Sequence, residues 1–193
     1  MNKEQLLNKL LKYSFDNKII NAFDIVKRES FVTDKYRDMA YEDTALPLCN
    51  GQTISQPYTI AFMLNLLELK NEQKILEVGS GSGYVLALIS KIVKAEIYGT
   101  ERIKELAEQS RINLNNNIKI IHTPDSLGLP GYLFDRILVS AAANKLPDEL
   151  IKQLADNGIL VIPIQDSIVK VEKKKTKIIK QEFYGFSFVP LIY

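Results

Sequence analysis

Ile75-Leu76-Glu77-Val78-Gly79-Ser80-Gly81-Ser82-Gly83-Tyr84 decides the reading of this chain. Ile75, Leu76 and Val78 form the short apolar run of a central parallel strand, of the kind buried on both faces. Gly79, Gly81 and Gly83 lack a Cβ, so the backbone can turn sharply and a ligand can lie against it. A helix from about Tyr84 to Val93 then points unpaired N–H groups at the turn. Strand, glycine turn and helix together predict a nucleotide-type pocket at the carboxyl edge of a sheet.

The spacing narrows the ligand. A dinucleotide fingerprint reads G-x-G-x-x-G and sets a pyrophosphate on the helix N-terminus. Here the pattern is G-x-G-x-G, and Tyr84 stands where the third glycine would be. A second strand, Glu96-Ile97-Tyr98-Gly99-Thr100, ends in Glu101. A carboxylate at that tip can accept from both hydroxyls of a ribose. S-adenosylmethionine has a ribose and no phosphate, so the turn needs no basic residue, and it has none. The bland alternative is a tight turn without a ligand. Glu77 before the turn and Glu101 after it favour methyltransferase-type binding.

Composition narrows the classes further. A chain of 193 residues can hold one domain with a sizeable core. Apolar content of 46% and charged content of 25% are those of an ordinary globular protein. A net charge of +2 argues against a nucleic-acid groove or an acidic tail. Cys49 is the single cysteine and His122 the single histidine, which excludes an internal disulfide and a Cys/His zinc site. No apolar run approaches the roughly 18–20 residues that span a bilayer. Lys3, Lys9 and Lys12 are scattered through the leucines of the N-terminus, unlike the grouped charge of a signal peptide. The expected location is the cytoplasm.

Leu6, Leu7, Leu10 and Leu11 lie on one face of an amphipathic helix from about Lys3 to Tyr13. Ile19, Ile20, Phe23 and Val26 repeat the pattern from about Asn17 to Lys27. Both helices are read as covers for the sheet and the rim of the pocket. Glu29 to Thr53 loses periodicity, as a long functional loop does. In GQTISQPYTIAFM (Gly51 to Met63), Pro57 suits the first turn of a helix and Ser55 its N-cap. From residue 74 strands and helices alternate: strands at 74–78, 96–101, 118–122, 135–140 and 158–163, helices at 84–93, 103–115 and 147–155. That is a doubly wound, mostly parallel α/β sheet. Ile168 to Glu172 and Lys177 to Gln181 flank a solvated basic turn, Lys173 to Thr176, in an antiparallel hairpin. Phe186 to Ile192 reads as a last strand, at an edge or bulged because of Pro190. Cys49, with no base beside it, is read as a small buried side chain.

These segments in order resemble one family, the protein-L-isoaspartate (D-aspartate) O-methyltransferases. The resemblance runs through Phe31-Val32, Ala40 to Asp43, Leu46-Pro47 and GQTISQP (Gly51 to Pro57), then LEVGSGSGY (Leu76 to Tyr84) and ERIKELAE (Glu101 to Glu108). It continues through FDRILVSAAA (Phe134 to Ala143), LPDELIKQLADNGILVIPI (Leu146 to Ile164) and FVPLI (Phe188 to Ile192). The glycine turn is common to many methyltransferases; GQTISQP, SAAA and FVPL are far more specific. The resemblance implies a Rossmann-like class I methyltransferase, a single domain over residues 1–193, with 1–56 as a helical and loop extension covering the site. It implies methylation of the free α-carboxylate of an isoaspartyl residue, with S-adenosyl-L-homocysteine as the other product. In the family, the methyl ester then collapses to a succinimide that reopens in part to aspartate. The expected partners are isoaspartyl-containing peptides and proteins, without nucleic acid or membrane, and the expected state is a monomer. A related methyltransferase with another acceptor, or a homologue that binds the cofactor with reduced or lost turnover, is the alternative.

The resemblance also implies roles. Ser55, in ISQP, orients the substrate carboxylate through a hydrogen bond. Ile54, Glu77, Gly79, Ser80, Gly81, Glu101, Asp125 and Ser126 bind the cofactor, with the glycine turn at its methionine part and Glu101 at its ribose. Thr53, Ser140, Ala141, Ala142, Val189, Pro190 and Leu191 face the substrate. Capping or turn formation is the alternative for Ser55 and Thr53, a strand-end acid for Glu77, and plain packing for the alanines and the FVPL segment. The family has Gly-Asp-Gly after the third strand, where this chain has Pro124-Asp125-Ser126 and a short connection to Phe134. No metal is expected.

Overall fold

In this computed structural model, residues 1–175 and 177–192 are described. Asn2 and Gln5 exchange hydrogen bonds of 2.9 Å between side chain and backbone, a reciprocal cap that opens α1 (Lys3–Leu10). Asp16 accepts from the Lys18 N–H and opens α2 (Asn17–Ile25). Leu6, Leu10, Ile19, Ile20 and Phe23 are buried, as the periodicity predicts. Each helix ends about a turn or less before the span expected from its apolar pattern.

Residues 28–54 are irregular but ordered by local bonds. They hold two short 3-10 turns, Arg28–Ser30 and Asp34–Met39, and a two-strand antiparallel hairpin of β1 (Leu46–Pro47) and β2 (Thr53–Ile54). Cys49 is exposed at the tip of that hairpin, not buried as expected. The next helix, α3 (Pro57–Leu66), does begin with Pro57. Its N-cap is Gln56, which makes no side-chain cap bond, so Ser55 is not the cap.

The main sheet is built from β3 (Lys74–Val78), β4 (Glu96–Glu101), β5 (Ile118–His122), β6 (Phe134–Val139), β7 (Leu154–Ile164), β8 (Ser167–Lys174) and β9 (Lys177–Tyr184). Helices α4 (Tyr84–Ile92), α5 (Lys104–Asn113) and α6 (Asp148–Gln153) connect them. The spatial order is β5-β4-β3-β6-β7-β8-β9. The first five strands are parallel; β8 and β9 add antiparallel. Two apolar clusters cover opposite faces. One gathers side chains of α1 to α4, and the other those of α6, β7 and the chain after β5. The order reverses at β3, so the crevice of a doubly wound sheet opens at its carboxyl end, where the glycine turn lies.

Crossing from β5 past β4 and β3 to β6 takes only residues 123–133, which form no helix. The buried side chain of Gln153 holds this segment: its Nε2 donates to the Leu127 carbonyl at 2.8 Å, and its Oε1 accepts from the Leu129 N–H at 2.7 Å.

Two expectations at the C-terminal end change. The Lys173 ammonium is not a solvated turn charge; it donates to the carbonyls of Ile151 and Leu154 at the end of α6. Thr176 of the same turn lies outside the described residues. Phe186 to Ile192 forms no strand but makes a single parallel bridge, Ala142 to Pro190. The Ala142 N–H donates to the Val189 carbonyl at 2.8 Å, and the Leu191 N–H donates to the Ala142 carbonyl at 2.7 Å. This bridge uses no N–H at 190, so it tolerates proline where a longer ladder does not. Among the described residues no helix is long and apolar enough to cross a membrane.

Candidate active site

The glycine turn is tied down to the neighbouring strand. The N–H groups of Gly79 and Ser80 both donate to the Thr100 carbonyl, at 2.8 and 3.0 Å. The Gly81 N–H donates to Glu101 Oε2 at 2.9 Å. A turn whose amides are engaged in this way is poorly suited to cradle a pyrophosphate, which needs them free. Gly83 is the N-cap of α4 with φ +88°, and a Cβ there would stand 2.7 Å from Ser110 Oγ. Its glycine serves the close approach of α4 to α5. At Gly81 a Cβ would meet nothing closer than Leu48 Cδ1 at 3.7 Å, so the face toward the cleft is open.

Two buried carboxylates stand beside the turn. Glu101 accepts from the Gly81 N–H through Oε2 and from the Ile103 N–H through Oε1, each at 2.9 Å. Each oxygen keeps a second lone pair for a further donor. Glu77 Oε1 accepts from Ser140 Oγ at 2.7 Å. Its Oε2 is buried and has no partner among the described residues, and the same holds for Ser80 Oγ. Burial pushes the Glu77 carboxyl up to about 8, against the pull of the Ser140 hydrogen bond and with a further push from the Glu101 charge.

Opposite the turn runs the segment from β2 into α3. The Ser55 carbonyl accepts from Arg28 Nη2 at 2.8 Å. Three residues on, the Tyr58 N–H donates to Asp43 Oδ1 at 2.9 Å, and Asp43 Oδ2 pairs with Lys9 Nζ at 2.7 Å. The backbone from Ser55 into the first turn of α3 is therefore held by buried side chains from the irregular N-terminal region. Arg28 is fully buried, and burial lowers its pKa from the usual guanidinium value.

A cleft opens between these walls, enclosing about 900 Å³ when the space open to solvent is included. Thr53, Ile54, Ser55, Glu77, Gly79, Ser80, Gly81, Glu101, Ser126, Ser140, Ala141, Val189, Pro190 and Leu191 all line it. Two predicted residues do not. Asp125 is exposed in a turn, and Ala142 lies behind the wall, joined to the backbone of Val189 and Leu191. Leu48, Gln52, Tyr84, Arg102, Ile103, Thr123 and Leu127 line the cleft without having been singled out. Gln52, Tyr84, Arg102 and Ile103 lie inside quoted motifs and the others beside them or beside Pro124 to Ser126, and that placement was the available signal. Arg28 had none, since it falls between the second amphipathic helix and the stretch without periodicity.

A second cleft shares Thr53, Ser55, Ser140 and Val189 with the first, and is otherwise lined by Thr44, Gln56, Thr59, Phe186, Phe188 and their neighbours. No charged side chain lines it among the described residues. His122 is the last residue of β5; its Nε2 lies 3.0 Å from the Arg102 carbonyl and its ring lines neither cleft.

Comparison with known proteins gives the same picture. A family model described as protein-L-isoaspartate(D-aspartate) O-methyltransferase matches residues 1–193. A protein-L-isoaspartate O-methyltransferase of Ignicoccus hospitalis is 39% identical over 204 residues, covering 98% of this chain and 97% of its own. A crystal structure assigned as a Plasmodium falciparum protein-L-isoaspartate O-methyltransferase, in complex with S-adenosyl-L-homocysteine, is similar over 100% of this chain and 99% of its own, with TM-score 0.81 and 29% identity. A solved protein-L-isoaspartate O-methyltransferase of 24% identity, TM-score 0.90, is covered over 66% of its length by the whole of this chain and speaks to the fold. The mostly parallel sheet with its antiparallel edge is that of a Rossmann-like methyltransferase. With the match running through the whole sequence, the chain belongs to the protein-L-isoaspartate(D-aspartate) O-methyltransferase family.

Proposed function

We propose that the chain methylates the free α-carboxylate of L-isoaspartyl residues in damaged peptides and proteins with S-adenosylmethionine, which begins their repair to aspartate. The observation that carries this reading is the place of Ser55, where the cleft that holds Glu77 and Glu101 beside the glycine turn meets an uncharged cleft beside the C-terminal segment.

The residues present fit the cofactor. Glu77 Oε2 and Ser80 Oγ are buried atoms without partners at the cleft lining, able to meet the amino and carboxylate groups of a methionine part. Glu101 retains lone pairs for the ribose hydroxyls, and Ser126 lines the adjoining region. When bound, S-adenosylmethionine supplies a methyl carbon already activated by a sulfonium.

The acceptor needs little activation by this chain. A carboxylate with a pKa near 4 is ionised at pH 7 and is already the nucleophile. Ser55 donates its hydroxyl hydrogen to one carboxylate oxygen and so aims the other, with Thr53 as a second hydroxyl. A hydroxyl does this without the strong ion pair that a lysine or arginine would form. A covalent role for Ser55 is disfavoured because His122, the single histidine, faces the Arg102 carbonyl. Ala141 leaves room for the substrate backbone, and Val189, Pro190 and Leu191 exclude water on the far side. Holding the reacting atoms at near-attack distance supplies several kcal/mol of barrier lowering.

The reading includes a single domain over 1–193, with 1–56 covering the site, working as a monomer in the cytoplasm. The net charge of +2 supports a role without nucleic acid. Labelled S-adenosylmethionine tests the function, with an isoaspartyl peptide and its aspartyl counterpart as acceptors. Base-labile label on the isoaspartyl peptide alone is the expected result. Equal labelling of both, or none despite measurable cofactor binding, would overturn it.

A further inference from the structure

We propose that Arg28 is a positioning residue for methyl transfer, one that fixes the acceptor-side Ser55 relative to the turn that holds the donor. This rests on the reading of Ser55 as the group that orients the carboxylate. The guanidinium touches both halves of the site and lines neither cleft. Its Nη2 donates to the Ser55 carbonyl at 2.8 Å, and its Cζ lies 5.0 Å from the centre of the Tyr84 ring. Tyr84 is the first residue of α4, directly after the last glycine of the turn. Its ring is itself boxed in by Phe31, with centroids 5.3 Å apart, and Phe23, at 6.1 Å. The guanidinium is thus braced against a rigid aromatic cluster on the donor side while it grips a carbonyl on the acceptor side.

Stability alone gives no reason for this arrangement. Arg28 is fully buried, and its Nε and Nη1 find no hydrogen-bond partner among the described residues. The Tyr84 ring and the buried Asp43 carboxylate favour its charge, but burial outweighs them and lowers its pKa; a buried cation held in this way is commonly no better for folding than an apolar side chain of the same shape. What the guanidinium adds is geometry. The bond to the Ser55 carbonyl fixes the peptide plane between Ser55 and Gln56, and with it the direction in which the Ser55 side chain leaves the backbone. A displacement of about 1 Å at a reacting group can lower a rate about a hundredfold, so a brace of this kind is worth a buried charge.

Arg28→Met and Arg28→Lys test the proposal beside the wild-type protein, with kcat and KM for an isoaspartyl peptide, Kd for S-adenosyl-L-homocysteine and the melting temperature as readouts. Arg28→Met is expected to lower kcat ~tenfold or more, while Kd moves less than about threefold and the melting temperature falls only by the modest amount that one unpaired carbonyl costs. Arg28→Lys keeps the charge but cannot hold the same planar contacts, and is expected to lower kcat as well. It decides the matter if the Met variant fails to fold. A kcat within about twofold of wild type in a folded variant overturns the proposal, and so does a parallel fall of kcat, cofactor affinity and melting temperature, which marks a packing role. Absence of transfer by the wild-type protein overturns instead the acceptor reading on which the proposal stands.

Discussion

Ser140 donates its hydroxyl hydrogen to Glu77 Oε1 at 2.7 Å, across the seam between β6 and β3. The bond engages one oxygen of a buried carboxyl that lines the cleft and leaves the other without a partner among the described residues. Glu77 has a pKa raised from 4.5 to about 8, chiefly by burial. The native state therefore holds a proton that the unfolded chain loses between those values. The contribution of this one group to stability is greatest below about 4.5 and falls as pH rises toward 8, since the native state then binds a proton that the unfolded state has lost. Glu77→Gln removes this dependence. Its melting temperature relative to wild type is expected to climb steadily from pH 5 to pH 8, and a flat difference would refute the assignment.

The same carboxyl makes cofactor binding a proton-linked event. If Glu77 Oε2 meets the amino group of S-adenosyl-L-homocysteine as a carboxylate, binding below pH 8 displaces the proton. Calorimetry at pH 7 in buffers of different ionisation enthalpy is expected to report release of most of one proton by wild type. Glu77→Gln should release none and bind more weakly.

Ser55→Ala separates turnover from folding. Because Ser55 does not cap α3, its loss leaves the melting temperature almost unchanged. By the ordinary effect of deleting one donor at a reacting oxygen, kcat is expected to fall ~10–100-fold, with a much smaller change in Kd for S-adenosyl-L-homocysteine. A collapse of cofactor affinity would move Ser55 into the cofactor pocket.

Gly83 and Gly131 share φ +88° but differ in surroundings. A Cβ at Gly83 would strike Ser110 Oγ at 2.7 Å and Leu114 Cδ1 at 2.9 Å, whereas one at Gly131 meets nothing within 4 Å. Gly131→Ala is expected to cost about 1–2 kcal/mol for its left-handed backbone alone. Gly83→Ala adds an overpacking cost of roughly 1–3 kcal/mol. Urea unfolding of the two variants measures the difference.

Gln153→Leu removes the two hydrogen bonds that hold residues 127–129. Leaving the Leu129 N–H and the Leu127 carbonyl unpaired is expected to cost about 1–3 kcal/mol for each group that stays away from water. Because Ser126 and Leu127 line the cofactor cleft, Kd for S-adenosyl-L-homocysteine should rise too. An unchanged Kd would separate the brace from the site.

Much of this was legible because it is written locally. Strand, glycine turn and helix are contiguous from Ile75 to Ile92, and apolar spacing alone located α1, α2 and most of the sheet. The acids at 77 and 101 fell on strand ends, which the alternation already implied. Less legible was whatever depends on a distant partner. Arg28 finds Ser55 and Tyr84 only after folding, and Lys173 finds the end of α6. The sequence Phe186 to Ile192 has the residues of a strand, yet the segment pairs with Ala142 through a single bridge. Asp125 follows Pro124, and the turn there leaves it outside the cleft; Thr123 and Ser126 on either side line it instead.

That bridge has a consequence for how relatives of this chain can diverge. Val189 and Leu191 are moored to Ala142 through main-chain atoms, and a main-chain tie is indifferent to the side chains it carries. Val189 lines both clefts, and Leu191 one of them. Sequence drift at these two positions can therefore reshape the neighbourhood of the acceptor while the segment keeps its course. Selectivity among damaged proteins can change here by ordinary substitution, with no new fold to be found.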